Sequence, residues 1–413
     1  MGRHKPWGIG LAACVLGVSI WMVWRVQNSP IVWQKRFHFA LHAVATEADN
    51  VYILQSNNSS GNGNILECLD LQGKQLWKQD LALLNANGTA DYDLALAWRD
   101  RVYLAGGNQS DILAVDGSGL LHVVSVPSGI WHLIPSGDEL YAVTTYGPTP
   151  QAFHGALVLD DQLQLLRRIE FDGHFMALDV GDNGNIAYID LDIGRSGDLS
   201  DDHQDLVCLD RNGLELFRRR GDYNSFGNID RVESTYVACL SKQGFEIYDL
   251  SGNLLANEGG QLIDLKCGST ESGKYFGETV DPAFMIHAWD SLGGKQWSIV
   301  CQEDYFSFCF PAGDRVFIVE DDIIGHTWQS YMSLPQAVRT ADVFSKPGDP
   351  ANIRQKAYLS CLDDNGRRLW RTPMPDCFIG RRSVVWNPQG LAIIPAALMD
   401  GSKTPVVFAV RTD

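Results

Sequence analysis

The chain has 413 residues, with 33 Lys and Arg against 50 Asp and Glu, a formal net charge of -17. A surface this acidic repels phosphate backbones and excludes nucleic acid as a partner class. Hydrophobic residues make up 45% of the chain and glycines number 40, so a large core and many tight reversals are expected, with no long amphipathic helical period or low-complexity linker.

The first segment differs from all that follows. Trp7 to Trp24 carries no charged residue, and as a helix rising about 1.5 Å per residue it would come close to crossing a bilayer's hydrocarbon core. Arg3, Lys5 and Arg25 bracket it, and Trp7, Trp21 and Trp24 sit near its ends as interfacial aromatics do. Residues 1–26 are therefore expected to form one transmembrane helix. The protein would then be single-pass, with a cytoplasmic N-terminus and the rest extracytoplasmic, periplasmic in a Gram-negative cell. Two processing routes stay open, cleavage of the segment and lipidation at Cys14, since Leu11-Ala12-Ala13-Cys14 has the form of a lipoprotein signal.

From Pro30 onward the chain repeats. Three stretches starting at Cys68, Cys208 and Cys361 share the pattern C-L-D-x-[QN]-G-x-x-L-[WF]-[KR], with Asp70, Gly73 and Trp77, then Asp210, Gly213 and Phe217, then Asp363, Gly366 and Trp370 in equivalent places. Each reads as a hairpin: a buried strand ends at Cys-Leu, the Asp side chain bonds the backbone beyond it, and the Gly takes a positive φ before the next strand. Weaker copies centre on Asp116, Asp160, Asp249 and Asp290, and Trp297 follows the last of these as Trp77 follows Asp70. A second family of polar turns lies between them, before Val51, Val102, Leu140, Ile186, Tyr236, Tyr275, Val316 and Leu391.

There are eight turns of the second kind and seven of the first. The missing partner is divided between the ends, because Pro30 to Arg36 reads like Gln75 to Lys78 and the chain closes on the apolar strand Pro405 to Val410. The expected fold is all-β: an eight-bladed β-propeller over residues 30–413, whose N-terminal strand, bearing Trp33, completes the last blade and removes the open edges.

The turn motif followed by Trp resembles the repeat of the PQQ-like, or quinoprotein-type, β-propellers, and the resemblance covers essentially everything after residue 30. That superfamily holds quinoprotein dehydrogenases and the non-catalytic BamB-like outer-membrane assembly factors, and the chain is closer in character to the latter. Quinoprotein alcohol dehydrogenases typically place adjacent cysteines under the cofactor, and some carry a C-x-x-C-H haem site; this sequence has neither. The resemblance therefore puts no catalytic residue on any position, and bound pyrroloquinoline quinone is not expected. G-x-S-x-G, H-E-x-x-H and the phosphate-binding G-x-x-x-x-G-K-[ST] are also absent. His122, His132 and His287 lie within strand-like stretches, where a structural role is expected.

One segment has the look of a calcium loop. Asp190, Asp192, Asp198 and Asp201 stand at its positions one, three, nine and twelve, although Gly194 and Arg195 break the pattern at five and six. Calcium is the one ion the sequence offers, and a solvated acidic loop is the competing reading. Cys301 with Cys309, or Cys267 with Cys377, are candidate disulfides, while Cys68, Cys208 and Cys361 share one repeat position and read as small core residues.

Insertions fall between the second and third strands of four units, the longest from about Glu320 to Lys356, and all would emerge on one face. The longest carries Trp328, Tyr331, Met332, Leu334 and Arg339, residue types found at protein interfaces. Trp33, Trp77, Phe217, Trp297 and Trp370 are expected to pack between units. The sequence thus points to a membrane-anchored, non-catalytic protein-binding scaffold in envelope or outer-membrane assembly. A quinone-dependent dehydrogenase using the central funnel and a small-ligand sensor are the alternatives.

Overall fold

The computed structural model describes residues 29–412 except 57–63, 84–91, 107–110, 128, 145–152, 173, 193–202, 223–224, 242–243, 260–267, 270–274, 280–284, 291–293, 301–304, 324–354, 376, 380–383 and 399–403. Among these residues the strands form eight antiparallel sheets in chain order: sheet 1 (41–80), sheet 2 (94–125), sheet 3 (130–170), sheet 4 (174–222), sheet 5 (226–259), sheet 6 (268–300), sheet 7 (305–373) and sheet 8 (377–411). Sheets 1 to 7 are four-stranded meanders. In sheet 8 the outermost strand is Ile31–Arg36, paired antiparallel to Pro405–Arg411 with Trp33 opposite Ala409. Backbone bonds from Phe37 to the Pro405 carbonyl and from Arg411 to the Pro30 carbonyl, each 2.8 Å, hold both ends of that pairing.

Middle strands are buried along nearly their whole length, as in Asn50–Ser56 and Asn64–Asp70, whereas the fourth strands expose alternate residues. Sheets stacked face against face explain this, since a middle strand then has both faces covered and must be apolar on both. Tyr52, Leu54 and Cys68 of sheet 1 share a buried cluster with Val102, Leu104 and Val115 of sheet 2. On the other side Val51, Ile53 and Leu69 pack with Ile393, Val407 and Ala409 of sheet 8. The last sheet therefore meets the first, and Asn387 Nδ2 donates across that seam to the Ala48 carbonyl at 2.7 Å. The architecture is a β-propeller.

Cys68, Cys208 and Cys361 are buried thiols, pushed up to about 12 by burial. Cys309 is likewise a core thiol, outside any disulfide.

The expectation of a single-pass protein anchored by a transmembrane helix, with a cytoplasmic N-terminus and an extracytoplasmic propeller, is corrected. Spanning a bilayer takes about 20 apolar helical residues, and no helix among the described residues is long and apolar enough to cross a membrane. The helical element they contain is a three-residue turn, Leu81–Leu83. The segment 1–26 itself lies outside the described residues, as does Cys14.

Candidate functional site

The turn aspartates build one face of the ring. Asp70 Oδ1 accepts the amides of Gln72 and Lys74 at 3.0 and 2.8 Å, and Asp160, Asp210, Asp249 and Asp363 each accept the equivalent pair. Asn50 pairs with Asp70 across sheet 1, so both kinds of turn sit at the same end of the sheet. The second-to-third connections, where the insertions attach, leave from the opposite end.

At most seams an aromatic residue bolts one sheet to the next. Trp33 of sheet 8 lies over Gly73 of sheet 1, where an added Cβ would sit 2.8 Å from the indole, and Gly73 has φ +79°, so no other residue suits the place. The Trp33 Nε1 donates to the Leu71 carbonyl at 2.8 Å. Trp77 covers Gly117, Phe217 covers Gly252, and Trp297 covers Gly366 while donating to the Asp364 carbonyl at 2.9 Å. Each bolt springs from one register position of the fourth strand: Trp33 faces Ala409, Trp77 faces Cys68, Phe217 faces Cys208, Trp297 faces Ala288 and Trp370 faces Cys361.

At three seams that position is not Trp or Phe. His122 faces Ala114 in sheet 2, Ala256 faces Ile247 in sheet 5, and Arg167 faces Val158 in sheet 3. Arg167 keeps the hydrogen bond of the bolt, since its Nε donates to the Arg211 carbonyl at 2.9 Å, one residue past the turn aspartate as Leu71 and Asp364 are. Ile169 supplies the packing instead, its Cγ2 3.0 Å from the Cβ position of Gly213.

A cleft of about 570 Å³ opens here, lined by Arg99 of sheet 2, by Ser136 to Glu139, Asp160, Asp161 and Leu166 of sheet 3, and by Asp182 to Gly184 and Arg211 of sheet 4. Its inner wall is an ion-pair network. Arg167 clasps both oxygens of Glu139 at 2.6 Å, Arg211 Nη2 reaches Glu139 Oε1 at 2.9 Å, and the buried Tyr141 hydroxyl donates to Glu139 at 3.1 Å while accepting from Arg167 at 2.8 Å. The Arg167 hydrogen bonds hold the Glu139 carboxyl down at about 2 against the opposing effect of burial. Arg101 pairs with Asp161 at 3.2 Å and Arg99 with Asp138. Chemically this is a charged, water-open recess backed by a hydrogen-bonded ion-pair network. Asp160 and Asp182 have no cationic partner among the described residues.

Sequence inspection passes over Arg167, Glu139 and Tyr141, because the repeat is recognised by its aromatic and this unit lacks one. The signal was the departure itself: at Asp160 the turn reads Asp-Asp-Gln-Leu, with Leu163 at φ +61° where its relatives place Gly.

The other candidate residues are dispersed. Asp190 pairs across the strands with Asp205, and Arg218 Nη1 bridges the two at 3.2 and 3.3 Å, which gives Asp190 an ion-pair partner inside sheet 4. Asp192 ends its strand, and Asp198 and Asp201 lie outside the described residues. Among the described residues no group of three or more His, Cys, Asp or Glu is placed to hold a metal ion. Trp328, Tyr331, Met332, Leu334 and Arg339 fall outside the described residues, on the insertion that attaches opposite the cleft. His287 is buried with Nδ1 2.7 Å from Ser298 Oγ, and burial pushes its ring down to about 4. At the seam of sheets 4 and 5, Asp179 Oδ2 accepts the Val232 amide at 3.0 Å, and burial pushes this carboxyl up to about 6.

No protein-family model and no curated protein matches the chain. Among solved structures, BamB from Moraxella catarrhalis is similar with 13% identity, covering 92% of this chain and 99% of that one, with a TM-score of 0.50. The WD40 domain of SCAP from fission yeast is similar with 10% identity, covering 93% and 98%, with a TM-score of 0.54. Identities this low speak for the fold alone. Taken with the eight stacked antiparallel sheets, they give this chain the fold of a β-propeller.

Proposed function

We propose that the protein is a non-catalytic scaffold that binds another protein, with residues 30–413 forming one closed ring of eight blades. The observation carrying this reading is the cleft at the seam of sheets 3 and 4: a recess of about 570 Å³ backed by the Arg167–Glu139–Tyr141 network, where Arg167 takes the position that Trp or Phe holds at other seams. A preformed, rigid recess on a face made of short turns suits recognition, because little order has to be created on binding. Propellers related in fold include BamB and a WD40 domain.

The test is retention of proteins from the native source by the immobilised full chain. Stoichiometric retention that is reproduced when the retained protein is itself the bait supports the scaffold. Retention of nothing, together with dye-linked oxidation on adding pyrroloquinoline quinone and calcium, overturns it in favour of an enzyme.

A further inference from the structure

We propose that the cleft between sheets 3 and 4 takes a basic, extended protein segment, seating a Lys or Arg side chain between Asp160 and Asp182. The inference rests on the scaffold reading and names the chemistry of its partner.

Charge is the first argument. Each other carboxylate of the lining already has a guanidinium: Glu139 has two, Asp161 has Arg101 and Asp138 has Arg99. Asp160 spends Oδ1 on the amides of its own turn, which leaves its second oxygen and the exposed Asp182 carboxylate facing the recess without a cation. The Asp182 carboxylate also repels the buried Asp179 carboxyl behind it. A net charge of -17 over the chain adds a field that draws cationic partners toward it.

Shape is the second. The recess is too roomy for a bare ion, and no three ligands converge in it, but its volume suits a few side chains of a peptide. Leu166 lines it and is half exposed, with Leu165 and Leu214 exposed on the same sheets. Long basic side chains lay their aliphatic stems on such surface while the charged end reaches the carboxylates. The aromatic that would fill this space elsewhere in the ring is here Arg167, drawn back onto Glu139.

The probe is a fluorescent nonapeptide of Arg, Leu and Ser, with a Glu-for-Arg version as its counterpart, and binding to the full chain is read by anisotropy. The Arg peptide is expected to bind and to weaken with salt, and the Glu peptide is not. Asp182→Lys is expected to weaken binding by about tenfold or more. Asp314→Lys, at the exposed turn of sheet 7 on the same face, should change it less than about twofold. Equal losses in the two variants would mean diffuse attraction to an acidic surface and would overturn the proposal, as would equal binding of both peptides or none of either. Partners retained undiminished by the Asp182→Lys chain would also overturn it while leaving the scaffold reading in place.

Discussion

Two seams of the ring solve the same joining problem with different chemistry. Between sheets 8 and 1 an indole covers Gly73 and donates to Leu71, and Lys35 adds an ion pair to the buried Glu67. Between sheets 3 and 4 the same register position carries Arg167, whose Nε makes the same bond while its fork turns inward to Glu139. One joint is filled by an indole; the other is ionic and leaves a recess. The difference shows that the bolt has two separable parts, a hydrogen bond to the residue after the turn aspartate and an apolar cover for the turn glycine, and that neither needs an aromatic, since Arg167 makes the first and Ile169 supplies the second.

Breaking the filled joint should cost most. Trp33→Ala removes the packing on Gly73 and the hydrogen bond to Leu71, and a loss of about 3 kcal/mol in urea unfolding is expected. Breaking the ionic joint should cost less: Arg167→Ala leaves Glu139, 14% exposed, with Arg211 as its remaining cation, for about 2 kcal/mol at neutral pH. That cost carries a pH signature. Glu139 is held at about 2 against an ordinary 4.5, so its stabilisation is complete above the ordinary value and disappears as pH falls toward 2. Parent and variant should therefore converge across that window in acid titrations of melting temperature.

Smaller effects sharpen the contrast. Asp70→Ala removes two hydrogen bonds to turn amides and should lose about 1 kcal/mol. Asp179 at the next seam works in the reverse sense to Glu139. Its carboxyl is raised from 3.8 to about 6, so its contribution is present below the lower value and lost as pH rises through the upper one. Asp179→Asn should flatten the decline in melting temperature between those values. Least of all, Leu216→Ser should stay within about 0.5 kcal/mol, because this motif leucine is 38% exposed while its neighbour Phe217 does the packing.

Much of the fold could be read directly from the sequence. The turn aspartates, Gly73, Gly213 and Gly366 mark hairpins because backbone bonding and positive φ demand those residue types. Pro30 to Arg36 stands out as a strand without a sheet of its own. The cleft was hidden for a physical reason: it depends on five turns from three sheets, brought together only by the stacking of the ring, and its Arg167 occupies a slot whose usual signal is aromatic. The motif leucine was legible as apolar but not as outward-facing, since a fourth strand has one covered face and one bare one. The apolar N-terminal run invited an anchor because hydropathy describes a segment by itself, without the element it joins.

The pairing of Ile31–Arg36 with Pro405–Arg411 also sets an order of events during synthesis. Ile31–Arg36 is made long before the strand it pairs with, so six residues must wait, with Trp33 uncovered, until Pro405–Arg411 has emerged. The sheets between them are free to stack as they emerge, but shutting the circle waits for Pro405–Arg411, and a chain lacking that strand would leave Ile31–Arg36 with nowhere to dock.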